Sequence, residues 1–151
     1  MYLQSISLKQ MIEVIKYKKS IFGYIVRYKK KNGVNFFTPP NLSQQVGFIK
    51  HKKNHNIIPH IHLKNQRKIT YMSEVLIIQK GKIRVDLYSL KKKYLFSKIL
   101  KKDDILILIR GAHGFEVLDS CEMIEIKQGP FDKKVDKIRF EKNKKEKLIL
   151  K

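Results

Sequence analysis

The chain has 151 residues, and its 34 Lys and Arg against 13 Asp and Glu give a formal charge of +21. That length fits one domain over residues 1–151, with a core at about 21–131 and a tail at 132–151. A 42% hydrophobic content excludes a wholly disordered chain, and the lone Cys121 excludes an internal disulfide framework and fits a reducing cytoplasm.

No apolar run approaches the roughly 18–20 residues of a membrane-spanning helix. The start of the chain lacks a basic stretch followed by an apolar segment and a small-residue cleavage site, which also points to the cytoplasm. In chain order, Leu8, Met11, Ile12 and Ile15 have helical spacing over residues 8–19, and Ser7 with Gln10 can form a capping box. Ile12, Val14 and Lys16 also alternate, so a strand competes for the same stretch. Residues 21–29 are β-rich. Lys30-Lys31-Asn32-Gly33 predicts a hairpin, because Asn-Gly supplies the positive φ values of a tight turn. Residues 34–38 are a short strand closed by Pro39-Pro40. Residues 44–50 and 57–63 read as strands on either side of a polar loop.

Residues 70–79 then form a strand apolar on both faces, and Lys80-Gly81 reads as a turn. Residues 82–88 alternate, with Ile83, Val85 and Leu87 on one face and Lys82, Arg84 and Asp86 on the other. Residues 94–100, 105–109, 115–118 and 122–127 are further short strands, and turns so spaced predict an all-β sandwich or barrel. Gly129-Pro130 ends this region. The Lys-rich residues 132–151 are expected as a helix or tail over the barrel.

The charge invites a nucleic-acid reading. However, 29 of the 34 basic residues are Lys and five are Arg, while Ile occurs 21 times and Ala once. That pattern is what A/T-rich coding produces, with Lys filling solvated positions. Base-reading contacts favour Arg, so a Lys-driven nucleic-acid module is the weaker reading.

The histidines carry more. His51, His55, His60 and His62 lie within twelve residues, and His113 stands apart. On a strand, His60 and His62 would project to one face about 7 Å apart, suiting two ligands of one metal ion. Glu74 opens a strongly apolar run, where a carboxylate is costly unless paired by a metal, an imidazole, or Arg67 or Lys80. Gly111 and Gly114 flank Ala112-His113, a turn able to aim the imidazole inward. His51 and His55 are expected in solvent, and Phe48, Phe115 and Cys121 in the core.

His60-Ile61-His62 followed by Glu74 and, after six residues, Gly81 resembles the first motif of the cupin superfamily. His113 near Gly111 resembles part of the second motif. Eleven residues between His62 and Glu74 imply a longer loop than that motif has. Within the superfamily, Pro59-His60-Ile61-His62, Val85-Asp86-Leu87-Tyr88, His113-Gly114-Phe115-Glu116 and Ile124-Glu125-Ile126-Lys127-Gln128-Gly129-Pro130 resemble small single-domain members associated with surface-polysaccharide and sugar-nucleotide biosynthesis.

The resemblance implies an all-β double-stranded β-helix, or jelly-roll barrel. It implies one divalent metal (Fe, Mn, Zn or Ni) on His60, His62, His113 and Glu74, and a small anionic, sugar-derived substrate undergoing isomerase- or epimerase-like chemistry. It also implies a homodimer through N-terminal strands within residues 21–38. A metal-free ketoisomerase-like site with a histidine base, and a non-catalytic ligand-binding module, are the alternatives. His60, His62, Glu125 and Tyr71 are catalytic candidates, Glu125 with an ion pair to Lys127 or Arg84 as its structural role. Arg67, Lys68 and Gln128 are candidates for substrate binding.

Overall fold

The computed structural model describes residues 12–27, 31–132, 134, 136–142 and 147–151. Among these the fold is all-β, with no helix. The eight strands are β1 (Ile12–Tyr17), β2 (Ser20–Val26), β3 (Gly33–Phe36), β4 (Gly47–Lys50), β5 (Glu74–Tyr88), β6 (Tyr94–Lys101), β7 (Ile105–Leu108) and β8 (Ala112–Lys127). One sheet runs β1-β2-β7-β5-β6, with β8 on the other edge of β5, and curls into a half-barrel. β3 and β4 form a separate antiparallel pair.

The alternation of residues 12–16 prevails over their helical spacing, because β1 finds a hydrogen-bonding partner in β2 across a turn with Lys18 at φ 53°. Ser7, Gln10 and residues 8–11 lie outside the described residues. β2 is paired by β1 on one edge and β7 on the other. It therefore cannot form the hairpin expected through Asn32-Gly33. Gly33 does take a positive φ of 89°, but it opens β3, which turns to β4 instead. Both edges of β2 are likewise closed to strand addition by a second copy.

β5 organises the sheet. Its first residues pair β7, from Glu74↔Leu108 to Ile77↔Ile105, and its last pair β6, from Lys82↔Lys101 to Tyr88↔Tyr94. Its opposite edge follows β8 throughout. Lys80-Gly81 is thus a bulge inside one strand and not a turn, and the two strands expected at 115–118 and 122–127 are one. The turn-forming residues of both strands fall opposite each other, so they bend the ribbon without reversing it. Gly81 has φ +78°, and a Cβ there would come within 2.0 Å of the Ser120 carbonyl oxygen.

The core fills the hollow of this curl. Ile15, Phe22, Ile25, Leu76, Ile78, Ile83, Val85, Leu87, Phe96, Leu100, Leu106 and Leu108 form the larger buried cluster, with Cys121 packed against it. Tyr24, Val26, Phe37, Val75 and Ile107 form a second, which Phe48 partly joins. Phe115, expected in the core, is 39% exposed.

The expected strand at 57–63 is absent, and residues 51–73 carry no strand. Pro59 removes one backbone donor from that segment, and no neighbouring strand pairs with it. The tail is not helical where described. Ser97 N–H donates to Ile149 O (2.8 Å) and Lys151 N–H to Ser97 O (3.2 Å), a parallel bridge on the outer edge of β6. Phe140 packs edge-on against Tyr88. No helix among the described residues is long and apolar enough to cross a membrane.

Candidate functional site

A cavity of about 940 Å³ opens between the sheet and the C-terminal segment. Its floor comes from β5 (Glu74, Leu76, Asp86, Tyr88) and its wall from the 108–116 stretch that joins β7 to β8. Residues 136–142 cross it. Gly111 makes the β7–β8 turn possible. It has φ +86°, and a Cβ would strike the Phe22 ring at 2.6 Å. The Ile109 and Arg110 backbone N–H groups both donate to Phe22 O, fixing the turn.

Two buried carboxylates on β5 line the cavity. At one end Asp86 accepts hydrogen bonds from Arg84 Nε (2.6 Å), Arg84 Nη2 (3.0 Å), Lys142 Nζ (2.9 Å) and Ser97 Oγ. Arg84 also reaches Glu116, and Tyr94 OH lies 2.8 Å from Ser97 Oγ. Burial pushes the Asp86 carboxyl up, but the hydrogen bonds from Arg84, Lys142 and Ser97 outweigh it and hold the group far below the ordinary aspartate range. Lys142 is raised in turn by its hydrogen bond to Asp86.

At the other end the Glu74 side chain is 11% exposed, and its Oε2 lies 2.9 Å from His113 Nε2. Lys137 Nζ is 3.5 Å from Oε1. The hydrogen bond from His113 lowers the Glu74 carboxyl below its ordinary value against the cost of burial, and the charges of His113 and Lys137 add to this. In the neutral ring, with Nε2–H directed at the carboxylate, Nδ1 is the proton acceptor.

The structure therefore brings together two of the sequence candidates, Glu74 and His113. Tyr71 and Glu125 line the same cavity. Tyr71 lies under Arg110, with the guanidinium 5.2 Å from the ring centroid, and Glu125 pairs with Lys127 at 3.0 Å. Glu74 is paired by His113 and Lys137, and neither Arg67 nor Lys80 lies among its partners. His60 and His62 lie in the exposed 51–71 segment, their rings 5.0 Å apart, with His60 Nδ1 3.2 Å from Ile58 O. Arg67 and Lys68 are exposed in that segment as well. His51 and His55 stack on each other at 3.8 Å. The Gln128 side chain ties two loop positions together. Its Oε1 accepts from Ser73 N–H (2.7 Å), and its Nε2 donates to Ser43 Oγ (3.3 Å).

As placed, the implied metal ligands form two separate pairs. Among the described residues no three His, Cys, Asp or Glu side chains converge as a metal site. The arrangement does not fit a four-ligand centre, so no chemistry is derived through one.

Sequence reasoning missed Lys137, Lys142, Arg110 and the burial of Arg84 and Asp86. Alternation assigned Arg84 and Asp86 to a polar face, and the only hint of burial was their opposite charge at i and i+2. The two lysines are indistinguishable by sequence from the rest of a Lys-rich tail. Compared with known protein families, curated proteins and solved structures, the chain returns no match.

Proposed function

We propose that the cavity binds a small anionic, sugar-derived substrate and that His113, oriented by Glu74, moves a proton on it. The 2.9 Å contact between a nearly buried carboxylate and a cavity-lining imidazole carries this reading. A carboxylate at Nε2–H fixes the tautomer and stabilises the imidazolium once Nδ1 has accepted a proton. On a keto sugar, His113 takes the proton from the carbon beside the carbonyl and returns it to the adjacent carbon. The hydroxyl proton passes between the two oxygens, giving the isomeric ketone with no net change in oxidation. The half-barrel, the hairpin-like order of its strands and the sequence motifs support a cupin jelly roll as the parent fold.

The test is incubation of the full chain with a panel of nucleotide-linked keto sugars in D2O. The expected result is isomerised product carrying one deuterium at the new carbon centre. Absence of both conversion and exchange across the panel contradicts the reading and leaves a non-catalytic binding module.

A metal-dependent version is the second reading, favoured by one observation. The outer edge of β8 is unpaired among the described residues, and the 57–63 segment has apolar Ile61 and Leu63 alternating with His60 and His62. Pairing of that segment along β8 would add the two histidines to His113 and Glu74. Elemental analysis of untagged protein decides it: one divalent metal per chain, lost in His60→Ala/His62→Ala, supports this version, and metal-free active protein refutes it.

A further inference from the structure

The chain uses Lys for nearly every cation, so the positions that hold Arg are informative. Arg27 donates from Nη1 to Glu13 (2.7 Å) and from Nη2 to Ile99 O (3.3 Å). Arg84 forks onto Asp86 and reaches Glu116. Both exploit the planar, multi-donor guanidinium, which an ammonium cannot imitate. Arg110 and Arg139 both line the cavity, yet neither has a carboxylate within ion-pair distance among the described residues.

Four of the cavity's five carboxylates are already matched by cationic or imidazole partners. Glu74 is held by His113, Asp86 and Glu116 by Arg84, and Glu125 by Lys127. Among the described residues Asp136 accepts only the Asp132 backbone N–H, so its charge has no cation partner there. Against it, Lys92, Arg110 and Arg139 line the cavity without a carboxylate partner among the described residues, an excess of positive charge. Arg110 is also oriented. Its guanidinium carbon sits 5.2 Å from the centre of the Tyr71 ring, and the exposed guanidinium donates no hydrogen bond to the protein among the described residues. Its backbone is pinned to Phe22 O at the fixed Gly111 turn.

We propose that Arg110 and Arg139 form an oxyanion subsite that takes the phosphate or diphosphate group of the cavity's ligand. This deepens the functional reading above and rests on the same cavity. It also moves the anion-binding role from Arg67 and Lys68 to the β7–β8 turn and the C-terminal segment. Planar forked donors match the oxygens of a phosphoryl group, and a diphosphate offers oxygens to both arginines.

The experiment is isothermal titration of the full chain with inorganic pyrophosphate, inorganic phosphate and acetate at physiological salt. Wild type is expected to bind pyrophosphate more tightly than phosphate, and phosphate more tightly than acetate. Arg110→Gln and Arg139→Gln each weaken pyrophosphate at least tenfold. Arg110→Lys, which keeps the charge and protects against a folding artefact, still weakens it severalfold because the fork is lost. Lys52→Gln/Lys53→Gln, which removes two exposed charges, stays within about twofold.

Wild-type-like affinity in both arginine variants overturns the subsite. So does equal weakening by the lysine variant, which would mark diffuse attraction to a +21 surface. Absence of pyrophosphate binding up to about 10 mM overturns it as well. Arginine-dependent pyrophosphate binding without any sugar turnover leaves the subsite standing and removes the isomerase reading. Turnover unaffected by Arg110→Gln does the reverse.

Discussion

Asp86 and Glu74 are both buried carboxylates on β5, both face the same cavity, and both are held below their ordinary pKa. They differ in what holds them. Asp86 is gripped by a permanently charged guanidinium, an ammonium and a hydroxyl. Glu74 has one short contact, to an imidazole, and a longer one to Lys137. An arginine partner cannot give up its proton near neutral pH, so the Asp86 end is a fixed clamp joining β5, β6, β8 and the C-terminal segment. An imidazole partner can exchange its proton, so the Glu74 end is suited to chemistry. Burial of charge alone therefore does not separate the two ends; the chemistry of the partner does.

The largest expected effect breaks the clamp. Asp86→Ala leaves Arg84 buried without its main acceptor and should cost about 3–5 kcal/mol, as removing one partner of a buried ion pair does. Thermal unfolding should show a midpoint lower by about 10 °C or more for a chain of this size.

Next, Glu74→Gln preserves shape and removes the charge that stabilises an imidazolium. Isomerisation should slow about tenfold to a hundredfold with a midpoint within a few degrees of wild type, read by product formation and melting on the same sample. A large stability loss with unchanged rate would reverse the roles assigned to the two ends.

Acid should expose both. Each carboxylate has a folded pKa below its ordinary value, 3.8 for Asp86 and 4.5 for Glu74. The unfolded chain then binds more protons as pH falls, so this stability is fully present above those ordinary values and is lost below them. Unfolding midpoints should be nearly flat on the neutral side and fall steeply below about pH 4, with a shallower fall in Asp86→Asn. The smallest effect belongs to Glu116→Gln. The Glu116 side chain is 55% exposed, so its loss should cost under about 1 kcal/mol despite the short contact to Arg84.

Many of the strand positions were legible because Val75–Ile78 and Ile105–Leu108 are apolar runs and residues 82–88 alternate. What failed was local turn chemistry. Lys80-Gly81 and Asp119-Ser120 each look like reversals in isolation, and only their pairing across two strands converts them into a bend. Asn32-Gly33 likewise promised a hairpin that the closed edges of β2 forbid. Of the site, His113 and Glu74 could be found because glycines around a histidine and a carboxylate in an apolar run are unusual. Lys137 and Lys142 could not, because their roles depend on where the C-terminal segment crosses the cavity. Arg110 was visible only in retrospect, through the scarcity of Arg in a Lys-rich chain.

The most direct measurement is the rate of keto-sugar isomerisation by His113→Asn against wild type, with both proteins shown to be folded. The account predicts conversion by wild type and a loss of at least a hundredfold in the variant. A His113→Asn protein that turns over substrate at the wild-type rate would contradict it.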